Sequence, residues 1–398
     1  MNVLWFCCFV KQIRRAGNDN KKISIEPPIK YPWRDNGQLD PNDFKISDKT
    51  EGVWVSHSGL QSLVLWFSLD RYQNASIYLL DHINTITIDD CDNCTILTGP
   101  IRTSIFVRDC KECCIMTACQ QFRARDCENI IVFLACATEP IIESSSGMKF
   151  GPYQCLYGEL DGQFKSAGLS VFNCNWSEIY DFTQDTGAES NFELLGPEEA
   201  DARKYMLTPK EALENESKKS DSQTVSNEDT VSLLNRLSSV SVSLSPNDSL
   251  VPRTLGSSVQ LLKRQESCTT AQLNGSALIA VFDHPSANEC AKAIVTLLRE
   301  YPSCYLIRTR FSRFNEYDME RIFGIRAKSK HAKVGAGGVI TLEIAGPALV
   351  VGRSCEEVVQ KASSLLEPGF VHVTSEPSLA SRQIDLLNGL YRMHLDTH

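Results

Sequence analysis

The sequence is short of positive charge. Its 398 residues carry 40 Lys and Arg against 49 Asp and Glu, a formal net charge of −9 and a pI near 5.4. General nucleic-acid binding requires a basic footprint, so no nucleic-acid partner is expected. Long apolar runs are missing as well. No stretch of about 18 consecutive apolar residues occurs, which excludes an ordinary spanning helix. The one apolar opening, Met1 to Val10, is short and without the basic flank of a secretory signal. Before about residue 198 no long segment has a helical period. From about residue 50 that part is rich in β-branched and aromatic residues with turn residues at short intervals, and it reads as all-β.

Cysteine is abundant, with 16 in the chain. Without a secretory signal these are expected to be reduced thiols, serving as small core residues, metal ligands or acylation sites. Cys91-x-x-Cys94, fifteen residues, then Cys110-x-x-Cys113 is a spacing that fits a four-cysteine zinc site. A repeat explains it better. ITIDDCDNCTIL (86–97), IFVRDCKECCIM (105–116) and FRARDCENIIVF (122–133) align without gaps, and their Asp-Cys pairs begin at 90, 109 and 126. LDRYQNASIYLL (69–80) is a fainter copy. The second cysteine position runs Ala75, Cys94, Cys113, Ile130, and the first includes Tyr72. Isoleucine cannot replace a thiolate ligand, but it can replace a small buried residue. No metal is therefore expected.

A repeat of this length suggests the stacked coils of a parallel β-helix. Strand alternation then stacks Ile86, Ile105 and Phe122 inward in one column, Ile88, Val107 and Ala124 in another, and Cys91, Cys110 and Cys127 in a third. The outward columns are Thr87, Phe106, Arg123 and Asp89, Arg108, Arg125. Four regions are expected: a flexible or membrane-targeting segment over 1–35, the β-helix over 36–200, a disordered Ser-rich linker over 201–275 with a short helix near 229–237, and an α/β domain over 276–398. In the last, strands are read at 277–284, 304–311, 337–346 and 370–376. Helices are read at 288–301, 317–326, 354–367 (with Ser354 as N-cap) and 381–391.

On the outward face, ACQQFRARDC (118–127) aims Gln121, Arg123 and Arg125 one way beside Phe106. An arginine on a rigid surface next to an amide and an exposed aromatic suits an anion at a partner's surface. A solvated edge with salt bridges would also produce this pattern.

CQQFRARDC, CATEPIIESSS (136–146) and GLSVFNCNWSEIYDF (168–182) resemble the tubulin-cofactor-C-like domain family over about residues 30–200. The resemblance implies a right-handed parallel β-helix of the cofactor-C and cyclase-associated type. It implies a GTPase activator for an Arf-like small GTPase in its GTP-bound form, of the Arf-like 3 type, and not an enzyme on its own. GTP and Mg2+ would be carried by the partner, with no cofactor of the chain's own. Arg123 would be the arginine finger, flanked by Gln120 and Gln121. Thr103, Ser104 and Phe122 would lie near the nucleotide; the family has Gly-Ser where this chain has Thr103-Ser104. Glu143 would pair with the finger region or the partner, and Phe182 would contact the partner. The place implied is cytoplasmic, peripheral at the plasma membrane or ciliary base, governing release of lipidated cargo.

Two alternatives stand beside it: a non-catalytic effector or scaffold for the GTP-bound GTPase, and a tubulin-folding cofactor. Where the family starts Met-Gly-Cys this sequence has Asn2, so myristoylation is not expected; Cys7 and Cys8 remain candidates for palmitoylation, with a membrane surface as candidate partner. The 58–74 segment departs from the family's coil. Residues 276–398 resemble, more weakly, the nucleoside diphosphate kinase (ferredoxin-like) fold. His284, His331 and His372 lack that fold's His-Gly-Ser-Asp context and the glycines at 335–338 are a weak phosphate signal, so no kinase activity is expected.

Overall fold

The computed structural model describes residues 45–47, 50–56, 67–184, 189–219, 241–256, 273–324, 338–362 and 369–395. The expected N-terminal segment with Cys7 and Cys8, the short helix near 229–237, His331 and residues 335–337 lie outside them.

The first half is a parallel β-solenoid. One face stacks β2 (Thr50–Ser56), β4 (Gln73–Leu79), the start of β6 (Thr95–Arg108), the start of β7 (Cys114–Arg125), β8 (Ile131–Cys136), β10 (Met148–Pro152) and β12 (Phe192–Leu194). The other stacks β1 (Lys45–Ser47), β3 (Phe67–Asp70), β5 (Ile86–Asp89), the ends of β6 and β7, β9 (Ile141–Glu143) and β11 (Tyr180–Asp181). β6 and β7 are long because they bend from one face to the next. Gly99 sits in that bend, where a Cβ would lie 2.3 Å from the Asp81 carbonyl oxygen.

The corner that joins the faces explains the cysteine spacing. Asp90 and Asn93 have positive φ, as do Asp109 and Glu112, Asp126 and Asn129, and Arg71 and Asn74. Asp and Asn tolerate this left-handed region better than most residues. Each left-handed residue is followed by one whose side chain turns inward. The pairs Tyr72/Ala75, Cys91/Cys94, Cys110/Cys113 and Cys127/Ile130 are accordingly all buried. The thiols donate to backbone carbonyls, Cys110 to Arg108 at 3.2 Å and Cys113 to Lys111 at 3.1 Å.

The second half has a four-stranded antiparallel sheet, ordered β14 (Tyr305–Ser312), β15 (Val339–Gly346), β13 (Gly275–Phe282), β16 (Val371–Thr374). With its crossing helices this is the ferredoxin-like arrangement, and all eight expected strands and helices of this half are present.

The structure corrects three expectations. The solenoid region is not purely strand: α1 (Leu160–Ala167) packs Leu160 and Phe164 onto it. The polar region 201–275 contains α2 (Pro209–Lys219), with Ala212 and Leu213 buried, and an ordered strap, 241–256. The strap bridges Ser243 to Leu156, buries Leu244 and Val251, and receives the Trp176 indole N–H on Thr254 Oγ1 at 2.9 Å. Its few apolar side chains find pockets, which its overall composition conceals. The remaining helices are α3 (Ala287–Leu298), α4 (Glu316–Phe323), α5 (Val351–Ala362) and α6 (Pro377–Leu395). Ser354 is no N-cap: it is buried inside α5, and its amide bonds to Val350 O at 3.0 Å. The helix starts a turn earlier, over Pro347.

Candidate functional site

The ladders place the outward columns as the repeat demanded. Thr87, Phe106, Arg123, Ile141 and Tyr180 stand in one register row. Asp89, Arg108, Arg125 and Glu143 form the next. Between them the inward row is Ile88, Val107, Ala124 and Ile142, all buried, so the outward side chains rest on a packed floor, with Thr87 itself covered.

The three arginines are not equivalent. Arg108 meets Asp89 through Nε at 2.7 Å and Nη2 at 2.6 Å, and that carboxylate holds its guanidinium above the usual pKa. Arg125 pairs with Asp126 at 3.1 Å. Arg123 has no ion-pair partner among the described residues, and its Nε is buried without a hydrogen bond. A guanidinium held on a strand and left unsaturated is prepared for an oxyanion brought by another molecule.

The neighbouring polar groups are fixed. Ser104 Oγ donates to Gln121 Oε1 at 3.2 Å, directly across the ladder. Thr103 lies at an irregularity in β6; its hydroxyl donates to Asn84 O at 2.7 Å and faces Thr85 Oγ1 at 2.7 Å. Thr103 is not among the residues with positive φ, so the backbone at this irregularity does not require glycine. Phe122 is fully buried and meets Phe150 edge-on at 6.0 Å, anchoring the strand beneath Arg123. Gln120 is exposed, and its carbonyl accepts from Thr138 N at 3.1 Å and Thr138 Oγ1 at 3.0 Å.

Glu143 is exposed, opposite Arg125 and one position along from Arg123, with which it makes no ion pair. Phe182 is 61% exposed and meets Tyr180, 51% exposed, edge-on at 4.8 Å. β11 is fixed on β9 by Tyr180 N to Pro140 O and Phe182 N to Ile142 O, and Asp181 accepts from Thr183 and Asn191. The sequence reading missed Tyr180, whose two-residue spacing from Phe182 was the available signal. The aromatic pair lies two strands beyond Arg123, in the arrangement of an apolar anchor beside a charged centre. In the ferredoxin-like half, His284 Nδ1 accepts from Ser286 N at 3.1 Å, and half-buried His372 shares a hydrogen bond with Thr374.

The family model for tubulin binding cofactor C matches residues 66–182. Protein XRP2 of Homo sapiens is 35% identical over 360 residues, which cover 89% of this chain and 90% of that protein. Protein XRP2 of Danio rerio is 36% identical over 361 residues, covering 90% and 85%. Tubulin-specific chaperone C of Homo sapiens is 34% identical over 175 residues, covering 39% of this chain and 50% of that one.

Proposed function

The chain belongs to the XRP2 family, and on that premise we propose that it is a GTPase-activating protein for an Arf-like small GTPase of the Arf-like 3 type. The observation that carries the proposal is Arg123: the outward arginine with no carboxylate partner among the described residues, its Nε unsaturated by any of them, on a strand packed from beneath. In GTP hydrolysis water attacks the γ-phosphorus and the bond to the β–γ bridging oxygen breaks. Negative charge spreads over the oxygens, and an arginine supplied in trans stabilises it, with effects of about 10³ to 10⁵ in rate. GTP and Mg2+ belong to the partner, as does the reaction. Gln121, fixed by Ser104, lines the approach, and Tyr180 and Phe182 supply apolar contact. Ending the GTP-bound state would govern release of lipidated cargo at a membrane or ciliary base. Among the described residues no helix is long and apolar enough to cross a membrane.

The test is single-turnover hydrolysis by GTP-loaded Arf-like 3, with wild type and Arg123→Ala. Stimulation by wild type and its loss in the variant, with binding retained, is the expected result. Binding without stimulation by either would select the effector reading. The match to the cofactor C model over 66–182 favours a second reading, a tubulin-folding cofactor. Running the same assay with αβ-tubulin as the GTP-bearing probe separates the two.

A further inference from the structure

The last helix of the ferredoxin-like half reaches the solenoid behind the finger strand. The Tyr391 hydroxyl on α6 donates to the carbonyl oxygen of Ala137, 254 residues away in sequence. Asn175 Nδ2 donates to the same oxygen at 2.8 Å and to the Tyr391 hydroxyl oxygen at 2.7 Å. The Asn175 amide is held by Cys136 O at 2.8 Å, so the triangle is tied to the solenoid backbone. Tyr391 is fixed from its other side too. The Arg310 guanidinium lies over its ring, 4.3 Å from the centroid. Arg310 and Arg308 both donate to Asn388 Oδ1, one turn before Tyr391 on α6, and Arg308 forms an ion pair with Glu178 of the solenoid. Burial pushes the Tyr391 phenol up to about 12.

Ala137 is in the corner between β8 and β9. β8 pairs with the first part of β7 as far as Cys136 opposite Cys119. β9 takes up β7 again at Ile141 opposite Arg123. Between these ladders the corner holds β7 by Ala137 N to Cys119 O at 3.0 Å and by the two donors of Thr138 to Gln120 O. Three residues after Gln120 comes Arg123. The finger's own Nε has no hydrogen bond among the described residues to fix it, so its placement depends on the strand that carries it.

We propose that Tyr391, together with Asn175, is a positioning residue for the finger: the ferredoxin-like half clamps the 136–138 corner onto Gln120 and so sets Arg123. This assigns that half a part in activation with no chemistry of its own, and it rests on Arg123 acting as the finger. Displacements of an ångström at a transition-state contact cost up to about a hundredfold in rate. Removing one hydroxyl from the clamp loosens the corner without detaching it.

The experiment uses the full chain with GTP-loaded Arf-like 3 in single turnover, titrated to saturation, with backbone hydrogen exchange at residues 136–138 measured alongside. Tyr391→Phe keeps the ring under Arg310 and removes only the hydroxyl. The expected result is a fall of about five- to tenfold in the saturating rate, an unchanged half-saturating concentration, and faster exchange at Thr138. Lys292→Ala is the control. It removes another contact between the halves, Lys292 to Asp161 at 3.3 Å, which does not touch the corner, and neither readout should move. Wild-type rate and wild-type exchange in Tyr391→Phe would overturn the clamp, as would an effect on half-saturation alone or an equal loss in Lys292→Ala. If the wild type stimulates nothing, the finger reading itself fails, and the exchange measurement still decides whether Tyr391 holds the corner.

Discussion

Arg108 and Asp89 face each other across the β5–β6 ladder and are joined by two hydrogen bonds, whereas Arg123, next in the column beside them, faces Phe106 and Ile141. An arginine between two apolar neighbours keeps its charge for something else. Two substitutions should therefore part company. Arg108→Ala breaks a half-exposed ion pair, with an expected cost of about 0–1 kcal/mol in stability and less than about threefold in stimulated hydrolysis. Arg123→Lys keeps the charge but loses the planar fork, and should lose on the order of a hundredfold or more in the saturating rate. Rate measurements on both variants against GTP-loaded Arf-like 3 check this. Equal losses would mean that the shared charge of the face matters and no single finger does.

Tyr180 and Phe182 are exposed aromatics that meet edge-on at the end of the face that carries Arg123. Such groups contribute to binding when a partner covers them and contribute little to chemistry they do not touch. Phe182→Ala should raise the half-saturating concentration about tenfold while the saturating rate stays within about twofold. Tyr180→Ala should act in the same direction, because removing it also unseats Phe182. A fall in saturating rate at unchanged affinity would place the pair nearer the nucleotide than its position suggests.

The cysteine corner gives a prediction on stability. Cys94, Cys113 and Ile130 occupy equivalent places in successive coils and are all buried. If they fill the core, Ile130→Ala should destabilise by about 2–5 kcal/mol. Chelation with EDTA should leave the unfolding midpoint unchanged, and the native protein should hold no stoichiometric zinc. Burial also pushes the Cys114, Cys155 and Cys174 thiols up to about 12. These should react with a thiol reagent only after unfolding. Zinc at one equivalent, released together with a loss of stability, would return the four cysteines to the role their spacing first suggested.

The site was legible in the sequence where the repeat made each residue's direction independent of its neighbours in space. Once Cys94, Cys113 and Ile130 aligned, the outward position of Arg123 followed from strand alternation alone. The strap over 241–256 could not be read the same way, because Leu244 and Val251 lie in a Ser-rich run with no periodic pattern, and they are buried through contacts distant in sequence. Nor could the corner behind Arg123. Thr138 is unremarkable in sequence, and Tyr391 is on a helix whose partner lies 254 residues away, so no local pattern connects them. Ser354 was misread because a serine before an acidic pair resembles a cap, while the turn over Pro347 started the helix earlier.

A last prediction concerns Glu343, at the junction of the two halves. Burial pushes its carboxyl above the ordinary value of 4.5; Arg308, 3.7 Å away, and Arg310 pull it back in part, and Glu178 and Asp385 add to the rise. The folded state therefore binds this proton more tightly than the unfolded state. Below about pH 4.5 the group is protonated in both states, and its contribution to stability is fully present. As pH rises through the folded-state value the unfolded carboxyl ionises more readily, and that contribution is lost. Glu343→Gln, which is neutral at every pH and similar in shape, removes the dependence. Urea unfolding of both proteins from pH 4 to pH 8 should show the stability of wild type falling relative to Glu343→Gln as pH increases. A difference that stays flat would mean that Arg308 and Arg310 hold Glu343 ionised throughout. In that case Glu343→Gln should cost stability at all pH values, as expected for breaking a buried ion pair.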